Sequence, residues 1–130
     1  MSQEDRSTRG AEILARLHAD YGAPNVLGPL EQIAPDLKNM VRDFAFGEIY
    51  ARPGLDLKYR QLVTITALAA RDNTGTEFKA HLRGALKLGW TKEELVEALM
   101  QLAVYAGFPS AIHSLLVAKE VFDDAGKATT

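Results

Sequence analysis

Apolar residues along this chain of 130 residues recur three and four positions apart, the spacing of amphipathic helices. Residues 2–20 set Ile13, Leu14 and Leu17 among charges, which predicts a weakly amphipathic helix closed by the turn Tyr21-Gly22-Ala23-Pro24. A short helical piece follows at 29–34. Pro35 and Asp36 open a further helix to about Tyr50, since Pro is tolerated in a first turn. Its expected inward positions are Leu37, Met40, Val41, Phe44 and Ile49. Arg52-Pro53-Gly54 breaks the chain, and Asp56 is placed to cap the next helix, 57–72. From Leu62 to Ala70 that helix carries no charge and only Thr64 and Thr66 as polar positions, the pattern of a helix buried on most sides. Thr74-Gly75-Thr76-Glu77 and Thr91-Lys92-Glu93-Glu94 both fit a capping box. The first predicts a helix to about Leu88, stopped by Gly89. The second predicts one running through Leu95, Val96, Leu99, Met100, Leu102 and Val104 to Gly107. Pro109 and Ser110 open the last helix, to about Ala125, with Ile112, Leu115, Leu116 and Phe122 apolar.

No segment alternates apolar and polar as a strand does, so the expected fold class is all-α, with roughly three quarters of the residues helical. Repeats and linkers are absent, and 1–130 reads as a single domain in which 1–28 form an N-terminal helical extension. Helices 57–72 and 92–107 carry more apolar surface than a small helical monomer readily buries, which predicts a homo-oligomer. The alternative is that both sit in the middle of one bundle.

Composition narrows the chemistry. At 47% hydrophobic and 25% charged, the chain has the material for a packed core. Fifteen Lys and Arg against seventeen Asp and Glu, net −2, make no basic field, so nucleic acid is not an expected partner. The absence of cysteine excludes disulfides, thiolate nucleophiles and Cys-based metal sites. No apolar run approaches the roughly 18 residues of a membrane span. The polar start MSQEDRSTRG has no signal-peptide core, so a cytoplasmic protein without membrane contact is expected.

Few residues suit catalysis. His81 shares a helix face with Glu77, four positions earlier, and a carboxylate there would fix the imidazole tautomer and raise its pKa. Glu77 is also the closing residue of a capping box, and the two roles compete. His113 lies among apolar neighbours, either as a satisfied core histidine or in a pocket wall; His18 reads as a solvated surface residue. Glu48 stands near Phe44, Phe46 and Tyr50, a setting that suits an acid, or it pairs with Arg52 on the same helix. No HExxH or paired-carboxylate pattern marks a metal site, and neither a nucleophile elbow nor a phosphate-cradling glycine loop is present.

Three stretches then act in combination. They are Phe46-Gly47-Glu48-Ile49-Tyr50-Ala51-Arg52-Pro53-Gly54-Leu55-Asp56, His81-Leu82-Arg83-Gly84-Ala85-Leu86 and Ala103-Val104-Tyr105-Ala106-Gly107-Phe108-Pro109-Ser110-Ala111. With Arg60-Gln61-Leu62-Val63-Thr64-Ile65 they resemble the carboxymuconolactone decarboxylase family over residues 30–123. The resemblance implies an all-α, AhpD-like domain of about six to seven helices that assembles into ring-like homo-oligomers, trimers or hexamers. One branch of that family consists of thiol peroxidases with Cys-x-x-Cys, a histidine four residues later and an upstream glutamate. Counted back from His81, the cysteine positions fall at Thr74 and Glu77 and the glutamate position near Gln61. A hydroxyl and a carboxylate cannot cycle through a disulfide, so that mechanism is excluded. The other branch resembles γ-carboxymuconolactone decarboxylase of aromatic degradation through the β-ketoadipate pathway. It removes CO₂ from a lactone acid and needs neither cofactor nor cysteine. On that resemblance His81 is the expected general acid or charge stabiliser, and Glu48 orients a partner or relays a proton. Arg52 and Arg83 are expected to hold the carboxylates of a small carboxylate or lactone substrate, with His113 in the same site.

Overall fold

In the computed structural model, residues 2–18 and 27–128 are described, and they hold seven helices and no strand. These are α1 (Gln3–Leu17), α2 (Leu27–Ile33), α3 (Pro35–Met40), α4 (Leu57–Ala70), α5 (Thr76–Lys87), α6 (Lys92–Tyr105) and α7 (Phe108–Ala128), with α3 running on as a π-helix over Val41–Tyr50. The expected turn at 21–24 lies outside the described residues. Pro35 occupies the first turn of α3 as expected.

The termini show which local signals hold. Thr91 accepts from the Glu94 amide while the Glu94 carboxylate takes the Thr91 amide, completing the expected box. A second box, Ser2 with Asp5, starts α1 and was not anticipated. The box expected at 74–77 does not form: α5 begins one residue later, behind Gly75, with no side-chain cap. Asp56 does precede α4, but its carboxylate makes no capping bond. Gly89 and Gly107 take positive φ, +103° and +95°, where a side chain would be strained, and so end α5 and α6.

The main core joins four helices: Ile65 and Ala69 of α4, Phe78, Leu82 and Ala85 of α5, Leu95 and Leu99 of α6, and Ala118 and Val121 of α7. Only one stripe of α4 is buried, Leu57, Gln61, Ile65 and Ala69. Its opposite face carries exposed Tyr59 and Val63, so the expectation of burial on most sides is corrected. On α6, too, Met100, Val104 and Tyr105 stay exposed.

A smaller core of Leu17, Phe46 and Leu57 joins α1, the π-helix and α4. Of the expected inward set only Val41 packs, partly buried, against this core; the rest is overturned. Leu37, Met40, Phe44 and Ile49 are exposed, while Asp43, Phe46 and Gly47 are buried. The wider π turn rotates successive side chains away from the 3.6-residue register. Helix α1 then docks on the face so presented. A Cβ on Gly10 would lie 1.9 Å from the Arg42 carbonyl oxygen, and one on Gly47 would lie 2.3 Å from that of Arg6. Glycines at these two points let the backbones meet. Asp43, buried there, accepts from Gln3 Nε2 and Arg42 Nε, each at 2.6 Å.

Candidate active site

The π-helix delivers Phe46 and Tyr50 to one wall, α5 delivers His81 and α4 delivers Gln61. The imidazole of His81 lies 6.5 Å from the Phe46 ring, nearly parallel to it, and 6.3 Å from the Tyr50 ring; the two aromatic rings are 4.7 Å apart. Gln61, fully buried, donates from Nε2 to the His81 carbonyl at 3.0 Å and sets Oε1 3.1 Å from His81 Nδ1. Burial lowers the His81 pKa from 6.5 to about 4, so the ring is neutral at pH 7. The expectation that Glu77 fixes the ring and raises its pKa is therefore corrected. Glu77 is exposed, and its charge acts on the neighbouring Tyr50. The Tyr50 hydroxyl bonds to that of Thr64; burial, more than the Glu77 charge, pushes the phenol above its usual range.

Tyr50 also opens onto solvent. It lines a cleft of about 320 Å³ together with Arg16, Arg52, Asp56 and apolar Ile13 and Leu57. Arg52 lies on the rim of a second cleft, of about 410 Å³, with Arg9, Glu48 and Phe44. One turn, 51–53, thus serves two openings. It is held by Arg60, whose guanidinium donates to the carbonyls of Leu55 and Arg52 at 3.1 Å each, leaving the Arg52 side chain outward.

Of the residues singled out in the sequence, His81 and Arg52 are linked through Tyr50. Glu48 faces the second cleft but pairs with Arg6 of α1 at 3.2 Å, not with Arg52. Arg83 is half-buried on α5, where the Asp124 charge of α7 partly offsets its burial; it lines neither Arg52 cleft. His113 is exposed on α7, which overturns the core reading, and it lines neither Arg52 cleft. Sequence reasoning missed Arg16, which nears Arg52 only through the docking of α1. It also did not see that Gln61 grips His81, although the count back from His81 had reached that position. Among the described residues no group of three or more His, Asp or Glu could hold a metal, and no helix is long and apolar enough to cross a membrane.

Such a site offers cations beside a cleft, a phenol at its wall and a neutral imidazole among aromatic rings. These are parts for binding an anionic small molecule and moving one proton. Residues 35–120 match the carboxymuconolactone decarboxylase family. Over 128 residues the chain is 35% identical to the 4-carboxymuconolactone decarboxylase of Acinetobacter baylyi, covering 98% of this chain and 95% of that protein. Over 87 residues it is 36% identical to the nitrosuccinic acid decarboxylase of Metarhizium robertsii, covering 67% and 60% respectively. An uncharacterized 15.0 kDa protein of Paracoccus denitrificans is 30% identical over 94 residues, 72% of this chain and 70% of that one.

Proposed function

The chain belongs to the carboxymuconolactone decarboxylase family, and from that premise we propose that it is a cofactor-free carboxy-lyase acting on a small lactone acid, 4-carboxymuconolactone first among candidates. The observation that carries this reading is the near-full-length similarity to a protein named for that reaction. A second relative is named for removing CO₂ from a different acid. Both acids carry two carboxylates and an electron-withdrawing group to receive the electron pair that departing CO₂ leaves behind.

In this reading Arg52 and Arg16 hold the carboxylates at the cleft, since guanidinium groups match carboxylate geometry. The carbon–carbon bond to the departing carboxylate breaks, CO₂ leaves, and the electron pair passes through the conjugated system to the lactone carbonyl. One proton then adds to carbon. An apolar setting favours the departure, because CO₂ needs no solvation and a desolvated carboxylate is less stable. Tyr50 lines the same cleft; its hydroxyl donates to Thr64 in the free protein, since Thr64 itself donates to the Arg60 carbonyl, and turns from Thr64 to reach the enolate oxygen. His81 carries the proton. Neutral in the free protein, it charges when an anion bound beside it offsets the cost of burial. Glu48, on the adjoining cleft, holds α1 against the π-helix through Arg6 and so keeps Arg16 in place.

We further place the protein in the cytoplasm, in aromatic catabolism, as a homo-oligomer, trimer or hexamer, closed through the exposed apolar faces of α4, α6 and α7. The test of the activity is direct. Purified protein incubated with 4-carboxymuconolactone should release one CO₂ per substrate without added cofactor, and nitrosuccinate run in parallel defines the substrate class. CO₂ release no faster than in buffer from either acid overturns the reading.

A further inference from the structure

Gln61 sits inside the fold, on the buried stripe of α4, where Leu57, Ile65 and Ala69 are the other members. A polar side chain there is costly unless both ends of its amide are satisfied. Both are, by one residue. The Nε2 group donates to the His81 carbonyl at 3.0 Å, and a carbonyl oxygen can only accept, so the amide orientation is fixed by chemistry. The oxygen Oε1 must then be the atom 3.1 Å from His81 Nδ1. Since Oε1 also only accepts, Nδ1 must carry the hydrogen.

The opposite ring nitrogen is left as a lone pair. Among the described residues, the side-chain nitrogen or oxygen buried without any partner is Arg6 Nε. Among the described residues His81 Nε2 has no hydrogen-bond partner, and it is not such an atom, so it is not sealed in the core. The Phe46 and Tyr50 rings wall the imidazole, and Tyr50 continues to the cleft that holds Arg16 and Arg52.

We infer that Gln61 is a positioning residue: its amide locks His81 in the Nδ1–H form and leaves Nε2, on the far side of the ring, unprotonated. The consequence rests on the decarboxylase reading. A proton taken up with the substrate then enters at Nε2, the atom that can return it to carbon. In the other tautomer it would enter at Nδ1, on the protein side. An amide also differs from a carboxylate at this place, since it orients the ring without lending it negative charge.

Gly84 belongs to the same device. A Cβ there would lie 2.8 Å from Gln61 Nε2 and 3.0 Å from the Leu17 carbonyl oxygen, so only glycine leaves the amide its seat.

The experiment is nitrogen-15 NMR of the imidazole in the full-length protein at pH 7, with His81 assigned by its loss in His81→Gln. The expected signature is one neutral tautomer with the hydrogen on Nδ1. Gln61→Met keeps the length of the side chain and removes the amide, so His81 should move to the Nε2–H form that free histidine prefers. Gly84→Ala, which displaces the amide by contact, should move it the same way in a protein whose Gln61 is intact. Of the two variants, whichever keeps the wild-type circular dichroism should turn over 4-carboxymuconolactone at least about tenfold more slowly in kcat, the usual scale for losing a group that orients a histidine. An Nε2–H or doubly protonated ring in the wild type, or an unchanged tautomer in the folded variants, overturns the inference. Those results stand even if the protein proves to act on no lactone, since the tautomer is read without turnover.

Discussion

The buried imidazole of His81 makes a prediction about stability that needs no substrate. Its folded pKa, about 4, lies below the ordinary 6.5, so between those values the unfolded chain binds more protons than the folded one. Stability therefore rises with pH across that window and is lost as pH falls from 6.5 to 4. The full effect is about 3 kcal/mol for a shift of this size. Denaturant unfolding of the wild type at pH 7 and pH 4 should show that loss, and His81→Gln, whose amide still meets Gln61, should show much less of it. Asp43, held below its usual range first by its bond with Arg42, acts at lower pH, where its stabilisation goes as the carboxylate protonates. A wild-type curve flat from pH 6.5 to 4 would refute the neutral imidazole. At the cleft, Arg52→Ala should raise KM for a dicarboxylate roughly tenfold or more while leaving the melting temperature unchanged, since Arg52 joins the turn's hydrogen bonds through its backbone amide and carbonyl, which alanine keeps. Arg16→Ala should do the same, and an unaltered KM in both would remove the cleft from the binding site. His81 and Arg52 were readable in the sequence because histidine and arginine announce their chemistry wherever they stand. Gln61 does not: a lone amide in an apolar run has no pattern, and its meaning comes from a partner twenty residues away.

Helix positions were legible to within a few residues, because Pro, Gly and the Thr91 box act locally. The faces were not. The π-helix over Val41–Tyr50 has no signature in residue type, and reading it at 3.6 residues per turn put Phe44 and Ile49 inside when they lie outside; Leu37 and Met40, on α3 before it, lie outside as well. What holds that helix is nonlocal: α1 closes on it through Gly10 and Gly47, with Asp43 and Glu48 anchoring α1 at Gln3 and Arg6. Gly47→Ala should therefore loosen α1. The expected result is faster amide exchange over Gln3–Leu17 with α4 to α7 unchanged, and full retention of α1 protection would count against the close approach. The two Thr-x-x-Glu sequences supply a control at the same scale. Thr91→Ala removes a formed cap and should cost about 1 kcal/mol. Glu77→Ala, at a box that does not form, should change stability by no more than about 0.5 kcal/mol. Sequence alone gives both the same score; what separates them is that α5 starts behind Gly75, one residue past the threonine that would have capped it.

On the scale of the whole molecule, the unspent apolar surface falls into more than one group, the larger on α6 and α7. Met100 and Val104 on α6 and Phe108, Ile112 and Leu116 on α7 follow one another four residues apart, and Val104 and Tyr105 are 75% and 85% exposed. Beside them, Leu62, Val63 and Thr66 of α4 and Ala98, Gln101 and Leu102 of α6 frame a cleft of about 280 Å³, with Tyr105 on its rim. A stripe of knobs next to a socket on the same chain is what the proposed assembly would use: a second copy would supply the complement, and repeating the contact around an axis would close a ring. The excess apolar character of helices 57–72 and 92–107 thus has its physical place, on the faces that the four-helix core leaves uncovered. His113 stands next to Ile112 on this face, so assembly would change its surroundings more than those of His81. Light scattering of the wild type at micromolar concentration should return a multiple of the 14.2 kDa chain mass. The double variant Val104→Glu, Leu116→Glu places charges on two exposed positions that take no part in the monomer's core, so it should fold. It should run at the mass of a single chain, with the helical circular dichroism and the His81 tautomer of the wild type. A wild type already at 14.2 kDa would show that this face stays in water. A double variant that keeps the assembled mass would move the interface to the other exposed apolar group, Leu37, Met40 and Phe44, and take it away from α6 and α7.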